Sequence, residues 1–177
     1  MSESPAIPSD VAHAVKLVIL DVDGVMTDGS IRLDDNAVET KRFHVRDGTG
    51  IKIWMRLGYQ VAIITGREGN VVPLRARELG IAHVVQGSRD KAASLDEILR
   101  KLSLTAAQAA VLADDLPDLP MMRRAGYAMA VADAVEEVKA AAAFVTTRPG
   151  GHGAVREAVE HLLKARGRWQ EAATLFG

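Results

Sequence analysis

Apolar residues along this chain fall into short runs separated by stripes of helical period. "KLVILD" (16–21) is a continuous, β-branched apolar run, the pattern of a strand buried on both faces. Similar runs recur at "YQVAIIT" (59–65), "AHVVQ" (82–86), "AAVLA" (109–113), "YAMAV" (127–131) and "AFVTT" (143–147). Between them, Leu95, Ile98, Leu99 and Leu102 recur on one helical face of 90–102. Val155, Val159, Leu162 and Leu163 form another stripe in 151–166, ahead of Gly167. The segment from Asp133 opens with capping-box spacing, Asp133 to Glu136, and predicts a helix start there. Strands alternating with helices predict right-handed crossovers and a Rossmann-like parallel sheet with helices on both faces, in one domain spanning 1–177.

Two segments break the alternation. Residues 29–45, "GSIRLDDNAVETKRFHV", carry two strand-like pieces around the turn formers Asp34, Asp35 and Asn36, and predict an inserted β-hairpin. Residues 1–15 open with prolines and serines and read as a flexible arm. The start has neither a basic n-region nor an apolar h-region, and no run approaches the ~18 apolar residues of a membrane span. A cytoplasmic protein is the expectation.

Composition narrows the chemistry. A formal net charge of -1 leaves no electrostatic footprint for nucleic acid or an acidic membrane. The absence of cysteine excludes disulfides, thiolate zinc sites and cysteine nucleophiles. In parallel sheets ligands bind beyond the carboxyl ends of the strands. On that rim lie Asp21 and Asp23 after the first run, Thr65 after the second, Gly87 and Lys91 after the third, and Asp114 and Asp115 after the fourth. Four clustered carboxylates against one lysine call for a hard cation such as Mg2+. Thr65 and Lys91 suit phosphoryl oxygens. One carboxylate can attack phosphorus and another can shuttle the proton.

"DVDGV" (21–25), "TGR" (65–67), "GSRDK" (87–91) and "DDLPD" (114–118) together resemble the haloacid dehalogenase superfamily of phosphohydrolases, in the same order and at the same strand ends. By that resemblance Asp21 is the nucleophile, Asp23 the general acid/base, and Thr65 and Lys91 hold the phosphoryl group. Mg2+ is expected on the Asp21 carboxylate, the Asp23 backbone carbonyl and Asp114, with Asp115 and Asp118 supporting it from behind. "DVDGVMTDG", "FHVRDGTGI", "QGSRDK", "DDLPDLPMM" and "GGHGAVRE" extend the likeness, over roughly 16–163, to the 3-deoxy-D-manno-octulosonate 8-phosphate phosphatases and their sugar-acid relatives. The resemblance implies hydrolysis of a phosphorylated sugar acid through an aspartyl phosphate, in lipopolysaccharide precursor synthesis, by a homotetramer. Ala113 stands where the family commonly has glycine; if the position needs positive φ, its Cβ strains the turn and weakens Mg2+ binding.

Neither the 21–65 gap nor the 65–91 gap can hold a cap domain, so the fold is expected to be capless. A sugar acid needs cations for its carboxylate, and Arg46, Arg67 and Arg156 are candidates. Gly66 and Gly48 are further candidate substrate contacts, and Asp47 is either a helix cap or a substrate contact. His152 is a loop residue or a closing group, while Trp54, Met121 and Met122 read as core. Two other readings stay open: a phosphatase for a nine-carbon keto-deoxy sugar acid, and a phosphoacceptor receiver domain, although the third run ends in Gln86 where a receiver has its acceptor.

Overall fold

The computed structural model describes residues 7–175. In chain order its elements are α1 (Ser9–Ala14), β1 (Leu17–Leu20), β2 (Arg32–Leu33), β3 (Glu39–Thr40), α2 (Val45–Arg56), β4 (Gln60–Ile64), α3 (Val71–Leu79), β5 (His83–Val85) and α4 (Lys91–Leu102). There follow β6 (Ala109–Ala113), α5 (Leu119–Arg124), β7 (Tyr127–Ala130), α6 (Glu136–Ala141), β8 (Phe144–Val145), α7 (Ala154–Ala165) and α8 (Trp169–Thr174). Each of the six apolar runs forms a strand, and together they build one parallel sheet in the order β5-β4-β1-β6-β7-β8. From β1 the chain winds outward to β4 and β5, returns to β6 on the other side of β1, and winds outward again. The switch point therefore lies between β1 and β6, the place where such sheets open a crevice.

Register makes the rim level. Leu17–Leu20 pair with Gln60–Ile63 on one side and Ala109–Leu112 on the other, so Thr65 and Asp114 emerge level with each other, one residue beyond Asp21. Strands β1 and β6 are buried throughout, as continuous apolar runs require when helices cover both faces. Helix α2 packs against α7 and α4 against α5. Trp54 is core, stacked on Tyr59 at 4.3 Å with its Nε1 donating to the Gln60 carbonyl at 2.9 Å. Among the described residues no helix is long and apolar enough to cross a membrane.

The fold departs from the sequence reading in three places. Within the expected arm, Ser9–Ala14 is a helix, and Ile7, Ala12 and Val15 are buried; residues 1–6 lie outside the described residues. Its anchor is Arg166, just past α7, whose Nη2 donates to the carbonyls of Ala12 and Val15. The same guanidinium lies over Trp54 and Tyr59, 5.1 and 4.5 Å from their ring centres. No capping box forms at Asp133 either. Helix α6 starts at Glu136 after Val135, and the Asp133 carboxylate instead accepts from the Gly150 N–H at 2.9 Å. Finally, Ala113 is an extended residue of β6 paired with Ala130, and is not among the positive-φ residues, so its Cβ brings no turn strain.

Arg166→Met keeps the apolar stem and removes the donors, leaving two buried carbonyls without their partner. Unfolding free energy measured in urea is expected to fall by about 1–3 kcal/mol. An unchanged midpoint would show that α1 is held by packing alone.

Candidate active site

At the end of β1 the chain must turn sharply while keeping two carboxylates on the rim. The Val22 carbonyl accepts from the N–H groups of Val25, Met26 and Thr27 and from the Thr27 hydroxyl, which closes the turn. Gly24 sits at φ 95° directly against Asp114, and a Cβ there would run into its Oδ2. Only glycine satisfies both demands.

Asp21, Asp114 and Asp118 each place a carboxylate oxygen within 4.8 Å of the others. Lys91, the first residue of α4, is buried among them. Its Nζ donates to Asp21 Oδ1 at 2.8 Å and to Asp118 Oδ1 at 2.5 Å. Burial and, next, the neighbouring Asp118 push Asp21 up to about 6 against the pull of Lys91. Burial, then the charges of Asp21, Asp118 and Asp115, push Asp114 up to about 8. Burial works against the Lys91 charge, but Asp21 and Asp118 together raise its pKa. An all-oxygen donor set with more negative charge than one ammonium can balance fits a hard divalent cation.

The predicted acids are not equivalent. Asp118 belongs to the cluster itself, its second oxygen accepting from the Asp114 N–H at 3.3 Å. Asp115 is exposed and accepts from the Leu116 N–H at 2.8 Å, so it caps the short turn that presents Asp118 and adds charge near Asp114. Thr65 is buried at the end of β4, its hydroxyl accepting from the Arg67 N–H at 3.4 Å. One cavity of roughly 270 Å³ is lined by Asp21, Asp23, Thr65, Lys91 and Asp114, together with Gly66, Arg67 and Ser88.

The remaining predicted substrate contacts do not join them within the chain. Arg46 and Arg156 line a second cavity of roughly 290 Å³ with Arg148, Glu157 and Glu160. Asp47 is 3% exposed and its oxygens accept from Gly153 N–H at 3.2 Å and Arg156 N–H at 2.8 Å. It is a cap, but of α7; α2 itself is capped by the His44 side chain. Because Gly153 brings no side chain to the start of α7, Asp47 supplies the acceptor from across the α2–α7 packing. Burial nevertheless raises the Asp47 pKa. Gly48 is buried and makes room for Arg75, whose Nη2 would lie 2.6 Å from an added Cβ. Neither residue is free to hold a substrate. His152 sits between the Gly150 carbonyl (2.8 Å from Nδ1) and Arg42 Nη2 (2.7 Å from Nε2).

Sequence reasoning missed two residues of the hairpin exit. The Lys41 ammonium binds Asp23 Oδ1 and lies 3.3 Å from Glu39, while Glu39 accepts from Arg67 Nη2 at 2.7 Å. Apart from sitting just beyond a turn, "ETK" reads locally as a polar strand end and gives no signal of this contact. The receiver reading has no counterpart here, since β5 is an edge strand and ends at Val85, before Gln86.

Residues 75–157 match the family model described as haloacid dehalogenase-like hydrolase. The chain is 44% identical to the 3-deoxy-D-manno-octulosonate 8-phosphate phosphatase of Escherichia coli K12 over 161 residues, covering 91% of this chain and 86% of that one. Among solved structures, the Moraxella catarrhalis phosphatase of the same name, determined with magnesium ion, phosphate ion and a KDO molecule, superposes with a TM-score of 0.92 at 40% identity, covering 96% of this chain and 97% of that one. The Yersinia pestis enzyme gives 0.89 at 41% identity, over 92% and 88%. Motif order, sheet topology, clustered aspartates and these likenesses agree: the chain belongs to the haloacid dehalogenase superfamily, in the family of 3-deoxy-D-manno-octulosonate 8-phosphate phosphatases.

Proposed function

We propose that this chain is a cytoplasmic, Mg2+-dependent phosphoric monoester hydrolase that converts 3-deoxy-D-manno-octulosonate 8-phosphate to the free sugar acid and phosphate, in lipopolysaccharide precursor synthesis. The observation that carries the reading is Asp21, held by Lys91 at 2.8 Å inside a cavity that also contains Asp23, Thr65 and Asp114. Kinship with the phosphatases above supplies the substrate.

Lys91 occupies one oxygen of Asp21 and leaves the other to attack phosphorus. As the ester bond breaks, Asp23 gives its proton to the leaving oxygen. It then takes a proton from the water that attacks the aspartyl phosphate, releasing phosphate and restoring Asp21. Thr65 and Lys91 hold the phosphoryl oxygens. The Asp21 and Asp114 carboxylates and the Asp23 carbonyl would hold Mg2+, which offsets the charge of the phosphate; Asp118 fixes Lys91 and the Asp114 backbone. Gly66 and Arg67 meet the substrate on the chain's own rim. Arg46 and Arg156 enter the reading only through a face that a neighbouring subunit could complete.

The assembly belongs to the same proposal. Ile31, Leu33 and Val38 are 60%, 63% and 55% exposed, on a hairpin whose strands are only two residues long. Such a hairpin is marginal alone and invites pairing with other copies, and a homotetramer joined through the hairpins covers it.

Four outcomes test this reading. Purified protein with Mg2+ should release phosphate from the sugar-acid 8-phosphate faster than from its nine-carbon analogue. Asp21→Asn should lower that turnover by several orders of magnitude; near-normal turnover, with deamidation excluded by mass spectrometry, removes Asp21 as nucleophile. The metal assignment predicts a pH window. In the metal-free fold Asp21 titrates near about 6 and Asp114 near about 8, against an ordinary 3.8 for both. The folded chain therefore keeps protons that the unfolded chain loses. Their stabilisation is complete below about pH 4 and disappears as pH rises through about 6 and 8. Mg2+ replaces those protons, so the rise in Tm on adding Mg2+ to EDTA-treated protein should grow from about pH 5 to about pH 8.5. A pH-independent rise would count against the site. For assembly, Leu33→Asp should give a smaller species by light scattering, and a monomeric wild type would remove the tetramer.

A further inference from the structure

Lys41 is a buried lysine with no place in the mechanism above. Its side chain is only 4% exposed. It follows the second hairpin strand and ends on Asp23 Oδ1, with Glu39 at 3.3 Å as its second anion. Glu39 is in turn held by Arg67 Nη2 at 2.7 Å, and Arg67 Nε lies 3.7 Å from Asp23 Oδ2. The four charges form a closed, neutral ring. Within it the two oxygens of Asp23 differ: Oδ1 is taken by Lys41, while Oδ2 is buried and has no hydrogen-bond partner.

Resting on the phosphatase reading, we infer that Lys41 is a positioning residue that locks the Asp23 carboxyl by Oδ1 and thereby assigns Oδ2 to the proton transfer with the leaving group. In the first half-reaction an Asp21 oxygen forms a bond to phosphorus and the bond from phosphorus to the ester oxygen breaks, its electron pair staying on that oxygen. The proton on Asp23 Oδ2 moves to that oxygen, giving a neutral alcohol and an Asp23 carboxylate. Without Lys41 the carboxyl can rotate about its last bond, and either oxygen can face the substrate or neither. Lys91 does not substitute for it, because its contacts are to Asp21 and Asp118. The hairpin base is then part of the catalytic geometry.

A general acid matters in proportion to how poor the leaving group is, which separates positioning from mere support of the fold. The test uses the Mg2+-loaded full chain and two esters, a primary sugar phosphate such as the sugar-acid 8-phosphate and 4-nitrophenyl phosphate, whose phenolate leaves without help. The constant kcat/KM covers only the steps through release of the alcohol. For Lys41→Met, kcat/KM should fall roughly 10- to 100-fold on the sugar phosphate and less than about 3-fold on the aryl ester. Lys41→Arg, which keeps the charge but moves the donor, should show the same bias at smaller size, and it serves if Lys41→Met does not fold. Asp23→Asn should show the larger version of the bias, and Asp23→Asn/Lys41→Met should be no worse than Asp23→Asn alone. Equal losses on both esters in the Lys41 variants, or additive losses in the double variant, would overturn the inference. Equal losses for Asp23→Asn itself would overturn the acid assignment beneath it, a different failure.

Discussion

A single buried ammonium standing among Asp21, Asp114 and Asp118 is the constraint on which the rest of the structure depends. Three carboxylates at that separation repel one another, and burial deepens the cost for each ionised form. The chain brings them together anyway by making the surrounding backbone rigid. Strand register sets Asp114 one residue beyond Asp21 on the neighbouring strand, across the switch point. Glycine at position 24 allows Asp114 to close in, and the Asp114 carbonyl is tied to the Val135 N–H at 2.9 Å. A site with so little freedom to relax has its unmet negative charge already facing the place where a cation and a phosphate come together.

The inserted hairpin has two ends of opposite character. Its tip carries apolar side chains in water, while its base carries Lys41 and Glu39 in a ring of charges with Asp23 and Arg67. A short insertion of this kind does chemically what a larger lid would do sterically: it brings groups from outside the sheet to the edge of the reacting centre. The loop 147–153 also holds the β1 turn, with the Gly151 N–H donating to the Val25 carbonyl at 2.9 Å and Gly150 held by Asp133. The β1 turn is thus clamped between two segments far apart in sequence.

What could be read from the sequence was what is local. Strands buried on both faces write themselves as apolar runs, and the residues that follow such runs fall on one rim by topology alone, which is why Asp21, Thr65, Lys91 and Asp114 were legible. Side chains whose partner lies a hundred residues away were not. Asp47 sits in the first turn of α2 and reads as a local cap, yet its oxygens serve α7. Arg166 follows a helix and looks like a solvated basic residue, but it secures α1. Asp133 has capping-box spacing that the backbone never uses, because the Gly150 N–H competes for its carboxylate. The Ala113 concern hung on a positive φ, and a comparison of residue types carries no dihedral angle; β6 ends on Ala113, where the apolar run ends, in an extended conformation.

The Asp47 cap also has a consequence for how the chain comes to its native state. Its hydrogen bonds close loops of 106 and 109 residues, and the Arg166 contact with Ala12 closes one of 154. Contacts so distant in sequence are entropically late, since loop closure precedes any gain from them. During synthesis α2 is complete long before α7 leaves the ribosome, and until then Asp47 is a carboxylate with nothing to cap. The segment that braces the β1 turn is tied to α7 as well, through Glu157, which accepts from the Thr147 and Arg148 N–H groups at 2.8 and 3.0 Å. A rim whose residues run from Asp21 to Asp118 is therefore braced in full only when the last helices arrive.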